Sequence, residues 1–158
     1  MKSIAIIVPD NSKDYLTYSV LEGLRPIEAS GQYKIRISPR FDSIADYSDW
    51  ELNDDAFLEF ARSADLIIFM KSKYTTNDLV KKIGLWDKTV CIDGDEVGKN
   101  GRYDFTIQRD LINGTYKGPG AVQYDLYKKC KRYYRREKPY LEGMAMFPFP
   151  IEKRYIAY

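Results

Sequence analysis

The chain has no histidine among its 158 residues, which removes the commonest general base near neutral pH and the commonest metal ligand. Any catalysis has to rest on carboxylate, tyrosine or lysine. Cysteine is nearly as scarce: Cys91 and Cys130 lie far apart, without Cys-x-x-Cys spacing. Neither a zinc site nor a disulfide framework is indicated, and the pattern fits thiols kept reduced in the cytoplasm. Long hydrophobic runs are missing too. The N-terminal "MKSIAIIVPD" has about five apolar residues before Pro9 and Asp10, too few for a signal peptide or a membrane span, so a soluble chain without a transmembrane segment is expected. Nor is one sign of charge in excess. The balance of 25 Lys+Arg against 23 Asp+Glu leaves +2, and any attraction to nucleic acid or an anionic membrane has to come from a local patch. Finally, the turn "VPDNSKD" after the first apolar run lacks glycine. A dinucleotide site needs Gly-x-Gly-x-x-Gly there, and no Walker-type Gly-Lys-Ser/Thr follows. No cofactor is implied, and neither histidine nor cysteine supplies a metal-ligand set.

What is present is an alternation of strand-like and helix-like segments in a chain long enough for one domain and one sizeable core. "SIAIIV" is a continuous β-branched run of the kind buried on both faces of a parallel sheet, followed by turn chemistry with Asn11 or Ser12 as helix cap. "DYLTYSVLEGLRPIEAS" puts Tyr15, Tyr18, Leu21 and Leu24 on a helical stripe that Pro26 should kink or end, with Gly31 as a breaker. "YKIRIS" alternates as a strand, and "DDAFLEFARSA" has helical spacing through Phe57, Phe60 and Ala61. "ADLIIFM" is a strand bounded by Asp65 and Lys71, "TTNDLVKKIGLW" a short helix starting near Thr76, and "KTVCIDGDE" a fourth strand ending at Asp93-Gly94. "YDFTIQ" (103–108) reads as a fifth. This order predicts an α/β, Rossmann-like doubly wound, mostly parallel sheet of about five or six strands in three αβα layers, with right-handed crossovers. Ile6, Ile37, Ile68 and Val90 are its expected core, and ligands bind such sheets outside the carboxyl ends of the strands.

Those ends carry the chemistry. "DGDE" (Asp93, Gly94, Asp95, Glu96) gathers three carboxylates around a glycine, able to act as general base or to hold a divalent cation, although strand-to-loop turns use the same residue types. Asp93 and Glu96 are the candidate catalytic groups. Asp10, Asn11 and Ser12 after the first strand are candidate substrate contacts. Asp10 is placed like the acceptor aspartate of a phosphorelay receiver, but the lysine and acidic cluster such a domain needs come in the wrong order. "YDLYKKCKRYYRRE" interleaves Lys128, Lys129, Lys131, Arg132, Arg135 and Arg136 with tyrosines, a composition suited to phosphate, nucleic acid or an anionic sugar, and equally to a solvated helix face. The closing "MFPFP" contains Pro148 and Pro150, which cannot donate to a sheet ladder and predict an edge or an extended connection.

"CIDGDE", "CKRYYRRE" and "MFPFPIEKRY", in that order, resemble segments in the N-terminal lobes of two-lobed (GT-B) glycosyltransferases of bacterial surface-polysaccharide biosynthesis, as does "SIAIIVPDNSKDYLTYSVLEGL". In that family the first lobe holds the acceptor, the second binds the nucleotide-sugar donor, and transfer occurs in the cleft between them. The resemblance implies a single Rossmann-like domain over 1–158, with 139–158 similar to the start of an interlobe linker. It implies a glycan or glycolipid acceptor and a donor-binding lobe, in the same chain or as a separate subunit, without which the lobe does not turn over. Substrate contacts are then expected from Asp10, Asn11, Ser12, Gly94, Tyr134, Arg135, Arg136 and Glu137, with Asp93 to Glu96 on the same edge. The rival reading is a non-enzymatic α/β module that binds a protein or nucleic acid through its basic-aromatic C-terminal segment. The two differ at Tyr133, buried in a strand for the first and free for the second.

Overall fold

Residues 1–9, 14–39, 47–72, 77–95, 105–118, 121–136 and 145–146 are described by the structure, a computed structural model. The first apolar run forms β1 (Lys2–Ile7), whose Ile4, Ala5, Ile6 and Ile7 are all buried, as a strand covered on both faces requires. Helix α1 (Tyr15–Ala29) follows, then β2 (Tyr33–Ile37), α2 (Asp54–Ser63) and β3 (Leu66–Lys71). Next come α3 (Asp78–Ile83), a 3-10 turn at Trp86–Lys88, and β4 (Thr89–Asp93). The chain continues through α4 (Phe105–Ile112), α5 (Tyr124–Lys129), β5 (Arg132–Arg135) and a two-residue β6 (Ala145–Met146). The strands form one parallel sheet in the order β2-β1-β3-β4-β5-β6, five of them full strands, with helices on both faces. This is the Rossmann-like three-layer arrangement the alternation predicts. The order reverses direction between β1 and β3, the kind of switch point beside which doubly wound sheets bind ligands.

Alternation along each strand splits the interior in two. Ile37, Ile6, Ile68 and Val90 are register partners across four strands and face α1. The first three are buried, and Val90 packs half-buried against the same cluster. The opposite face stacks Ile7, Phe69, Cys91 and Tyr133 in one row, covered by Phe57, Leu58 and Ala61 of α2, Val80 of α3 and Leu126 of α5. Fully burying one such side chain contributes roughly 1.5–3 kcal/mol, so these two layers hold the sheet together. Ala145 pairs beside Tyr134, which makes β6 an edge; the rest of "MFPFP" lies outside the described residues.

Five local expectations are corrected. The N-cap of α1 is Asp14, whose carboxylate accepts from the Thr17 N–H at 2.9 Å; Asn11 and Ser12 lie outside the described residues. Pro26 does not end α1, which runs on to Ala29. The missing proline donor costs a single bond here, and the last turn still closes through the Ser30 and Gly31 N–H groups onto the Pro26 and Glu28 carbonyls. The buried side of α1 is Leu16, Thr17 and Leu21, with Tyr15 and Tyr18 half-buried beside it. "YDFTIQ" is no strand: residues 105–112 are α4, because the apolar spacing continues from Ile107 to Leu111 and Asn113-Gly114 stops it, Gly114 at φ 68°. The α3 helix begins at Asp78, with Asn77 at the N-cap position but making no side-chain bond to the helix, and Gly84 ends it at φ 71°, a conformation that costs a side-chain-bearing residue about 1–2 kcal/mol.

One packing feature was not foreseen. Trp50 and Tyr47 are buried beside α1, with the Arg25 guanidinium 4.3 and 4.5 Å from their ring centroids and paired to Asp49 at 2.8 Å. Trp50 also donates its indole N–H to Glu28. Among the described residues no helix is long and apolar enough to cross a membrane.

Candidate functional site

Lys71, Asp93 and Arg135 end three neighbouring strands and are direct register partners. They continue, one step toward the carboxyl ends, the apolar row Phe69–Cys91–Tyr133 on the same face. Their burial follows from that position: Lys71 is 3% exposed, and Asp93 and Arg135 are 0% exposed. Charged groups are kept in such a place only when paired. Asp93 Oδ1 accepts from Lys71 Nζ at 3.1 Å and from the Asp95 N–H at 3.0 Å. Its Oδ2 accepts from Tyr133 Oη at 2.6 Å and Arg135 Nη1 at 2.8 Å. Lys71 also donates to the Asp95 carboxylate, and Arg135 Nη2 reaches the Asp95 carbonyl at 3.4 Å. Two cations and two carboxylates balance.

The electrostatics follow from burial and pairing together. Desolvation pulls the Lys71 ammonium down, but Asp93 and Asp95 outweigh it and hold its pKa above the ordinary lysine value. Burial, then the Asp93 charge, push the Tyr133 phenol well up, so it stays protonated and donates. Burial likewise raises Cys91 far above the usual thiol range and pushes Cys130 up to about 11, so neither is a ready nucleophile.

The arrangement assigns different work to the carboxylates of "DGDE". Asp93 has both oxygens engaged inside the protein, and it orders the turn around itself. Backbone bonds complete the order, from the Gly94 N–H to the Lys71 carbonyl and from the Arg136 N–H to the Asp93 carbonyl, both 2.9 Å. Of the two described carboxylates of this turn, Asp95, with a side chain 17% exposed, is the one that reaches the surface. A Cβ on Gly94 would stand 3.1 Å from Leu16 Cδ2, so glycine lets the turn sit close to the start of α1.

Of the residues singled out from the sequence, Asp93, Gly94, Arg135 and Arg136 meet at this one edge. Tyr134 does not join them; it packs half-buried on the α1 side. Asp10, Asn11, Ser12, Glu96 and Glu137 lie outside the described residues. Lys71 was missed, its signal being a lysine closing an apolar strand with an acidic strand end to neutralise it. The basic-aromatic segment divides. Lys128, Lys129, Lys131 and Arg132 are exposed, whereas Tyr133 is 3% exposed in β5 with Tyr127 edge-on to it at 6.1 Å. Among the described residues no group of three or more carboxylates and thiols is placed to hold a metal ion. Compared with protein-family models, curated proteins and solved structures, the chain matches none.

Proposed function

We propose that this chain is the acceptor-binding lobe of a two-lobed glycosyltransferase, serving transfer of a sugar from a nucleotide-sugar donor to a glycan or glycolipid in bacterial polysaccharide assembly. One observation carries the reading. The motifs that resemble the family, "CIDGDE" and "CKRYYRRE", are distant in sequence, yet they lie on adjacent parallel strands whose ends are joined through Arg135 and Asp93. Their junction is at the carboxyl edge, where doubly wound sheets bind ligands. The burial of Tyr133 supports the lobe over a free basic arm. In this reading Asp95 and Arg136 face the acceptor, while Asp93, Lys71 and Arg135 hold the edge in shape. The donor is gripped by a second lobe, in the same polypeptide or a partner subunit, because transfer requires both reactants in one closed cleft.

The test is to incubate the purified 158-residue chain with nucleotide-sugar donors and glycolipid acceptors. Acceptor binding without transfer is expected, and donor affinity no better than millimolar. Turnover by this chain alone, abolished in Asp93→Ala, would overturn the assignment to an acceptor lobe. Absence of any glycan binding would sink the glycosyltransferase reading as a whole.

A further inference from the structure

A groove of about 360 Å³ runs between α3 and α5, on the face of the sheet away from α1 and apart from the Asp93 network. Its walls include the indole of Trp86, the ring of Tyr124, the amides of Asn77 and Gln123, the Asp125 carboxylate and the Lys81 ammonium. Asn77 and Gln123 are the N-cap residues of α3 and α5, and neither side chain bonds its own helix. Asparagine at an N-cap ordinarily accepts from that helix. Here its amide nitrogen donates to Gln123 instead, and its Oδ1 is buried with no hydrogen-bond partner among the described residues. A buried acceptor left short of a donor needs a reason. The Lys129 ammonium stands 5.5 Å from the Trp86 ring centroid, fixing one side of the indole.

We propose that this groove is a carbohydrate subsite, an inference that rests on the glycan-binding reading above and adds a second contact to it. The lining decides the class. Aromatic rings offer apolar surface to the C–H faces of a sugar ring, while amide, carboxylate and ammonium groups meet hydroxyls that both donate and accept. A small rotation of the Asn77 amide brings Oδ1 to an entering hydroxyl and supplies the donor it lacks. Lys81 and Lys129 attract a phosphate backbone and Asp125 repels it, so charge does not choose the class; the Asn77 Oδ1 calls for a hydroxyl-bearing ligand, and the glycan-binding reading above makes that ligand a sugar. The volume is within the range of small-ligand sites.

The experiment titrates the chain with maltohexaose, cellohexaose and chitohexaose in turn, following Trp86 emission, calorimetry and backbone amide shifts. Saturable binding of at least one, with shifts at Trp86 and Gln123, is the expected result. Asp125→Ala and Lys81→Ala alter charged side chains on the groove wall and should weaken that binding at least tenfold, without lowering the melting temperature. Trp86→Phe should remove the emission change. Sugar binding that shifts Gly94, Asp95 and Arg136 alone, untouched by these variants, overturns the groove while leaving the glycosyltransferase reading intact. No sugar binding anywhere overturns both. Polyuridylate binding at Trp86 in place of sugar also overturns the proposal.

Discussion

Asp93→Asn tests the central claim about the carboxyl edge. Lys71, Arg135, Asp93 and Asp95 sum to zero formal charge, and the first three are at most 3% exposed. The amide keeps the size of the carboxylate and loses its charge, so one positive charge is left uncompensated where water cannot reach. Removing one member of a buried ion pair costs about 3–5 kcal/mol. A domain is stable by about 5–15 kcal/mol in total, and at this length each kcal/mol moves the melting temperature by about 2–4 °C. The expected fall is therefore about 6–20 °C, read by near-ultraviolet circular dichroism or by urea unfolding. Asp95→Asn, at a side chain 17% exposed, leaves the Lys71–Asp93 pair intact and should cost roughly 1–2 kcal/mol. Adding Arg135→Met to Asp93→Asn should recover part of the loss, since it removes the stranded charge. If Asp93→Asn melts no lower than Asp95→Asn, the carboxylate is not the hub described.

Stability should fall on the alkaline side. Cys91, Cys130, Tyr133 and Lys71 all have folded pKa values above their ordinary 9.0, 9.0, 10.0 and 10.5. The unfolded chain therefore loses these protons first, and the stabilisation is complete below about pH 9 and declines above it. Urea midpoints measured at successive pH values should be level between about pH 6 and 8, where histidine would titrate, and Tyr133→Phe should soften the alkaline slope. Nucleic-acid binding should be weak: removing the exposed Lys128, Lys131 and Arg132 together should leave affinity for RNA unchanged at physiological salt. Tight, steeply salt-dependent binding lost in that triple variant would favour the basic arm instead.

Strands β1 and β3 were legible because a strand covered on both faces has to be apolar at nearly every position, as "SIAIIV" and "ADLIIFM" are, and β2 was legible from the alternation of "YKIRIS". "YDFTIQ" misled because so short a window of alternation fits a helix equally, and Leu111 and Ile112 settle it only when the window is extended. Strand β5 escaped periodicity altogether. Its two buried side chains are Tyr133 and Arg135, and a buried arginine has the same letter as a solvated one. A strand was expected at "CKRYYRRE" only from its likeness to a segment of a known family, not from any local pattern. At the site, the turn chemistry of Asp93-Gly94 located the strand end correctly. Whether that carboxylate met water or two cations depended on the β3–β4–β5 register, which no local pattern encodes. Lys71 was read as the boundary of a strand for the same reason.

The Asp93 row also has an order in time. Lys71 and Asp93 are separated by 22 residues, Asp93 and Arg135 by 42. At ribosomal speeds of about 5–20 residues per second, Asp93 exists for roughly two to eight seconds before Arg135 is made. During that interval Lys71 can neutralise it, so the nascent β3–β4 pair is not left holding a bare carboxylate. When β5 arrives, Arg135 brings one more positive charge, and the Lys71 contact with Asp95 supplies its counterpart. With Asp95 made two residues after Asp93, the β3–β4 edge holds one net negative charge until β5 arrives, and the last strand docks onto a charge of opposite sign already in place.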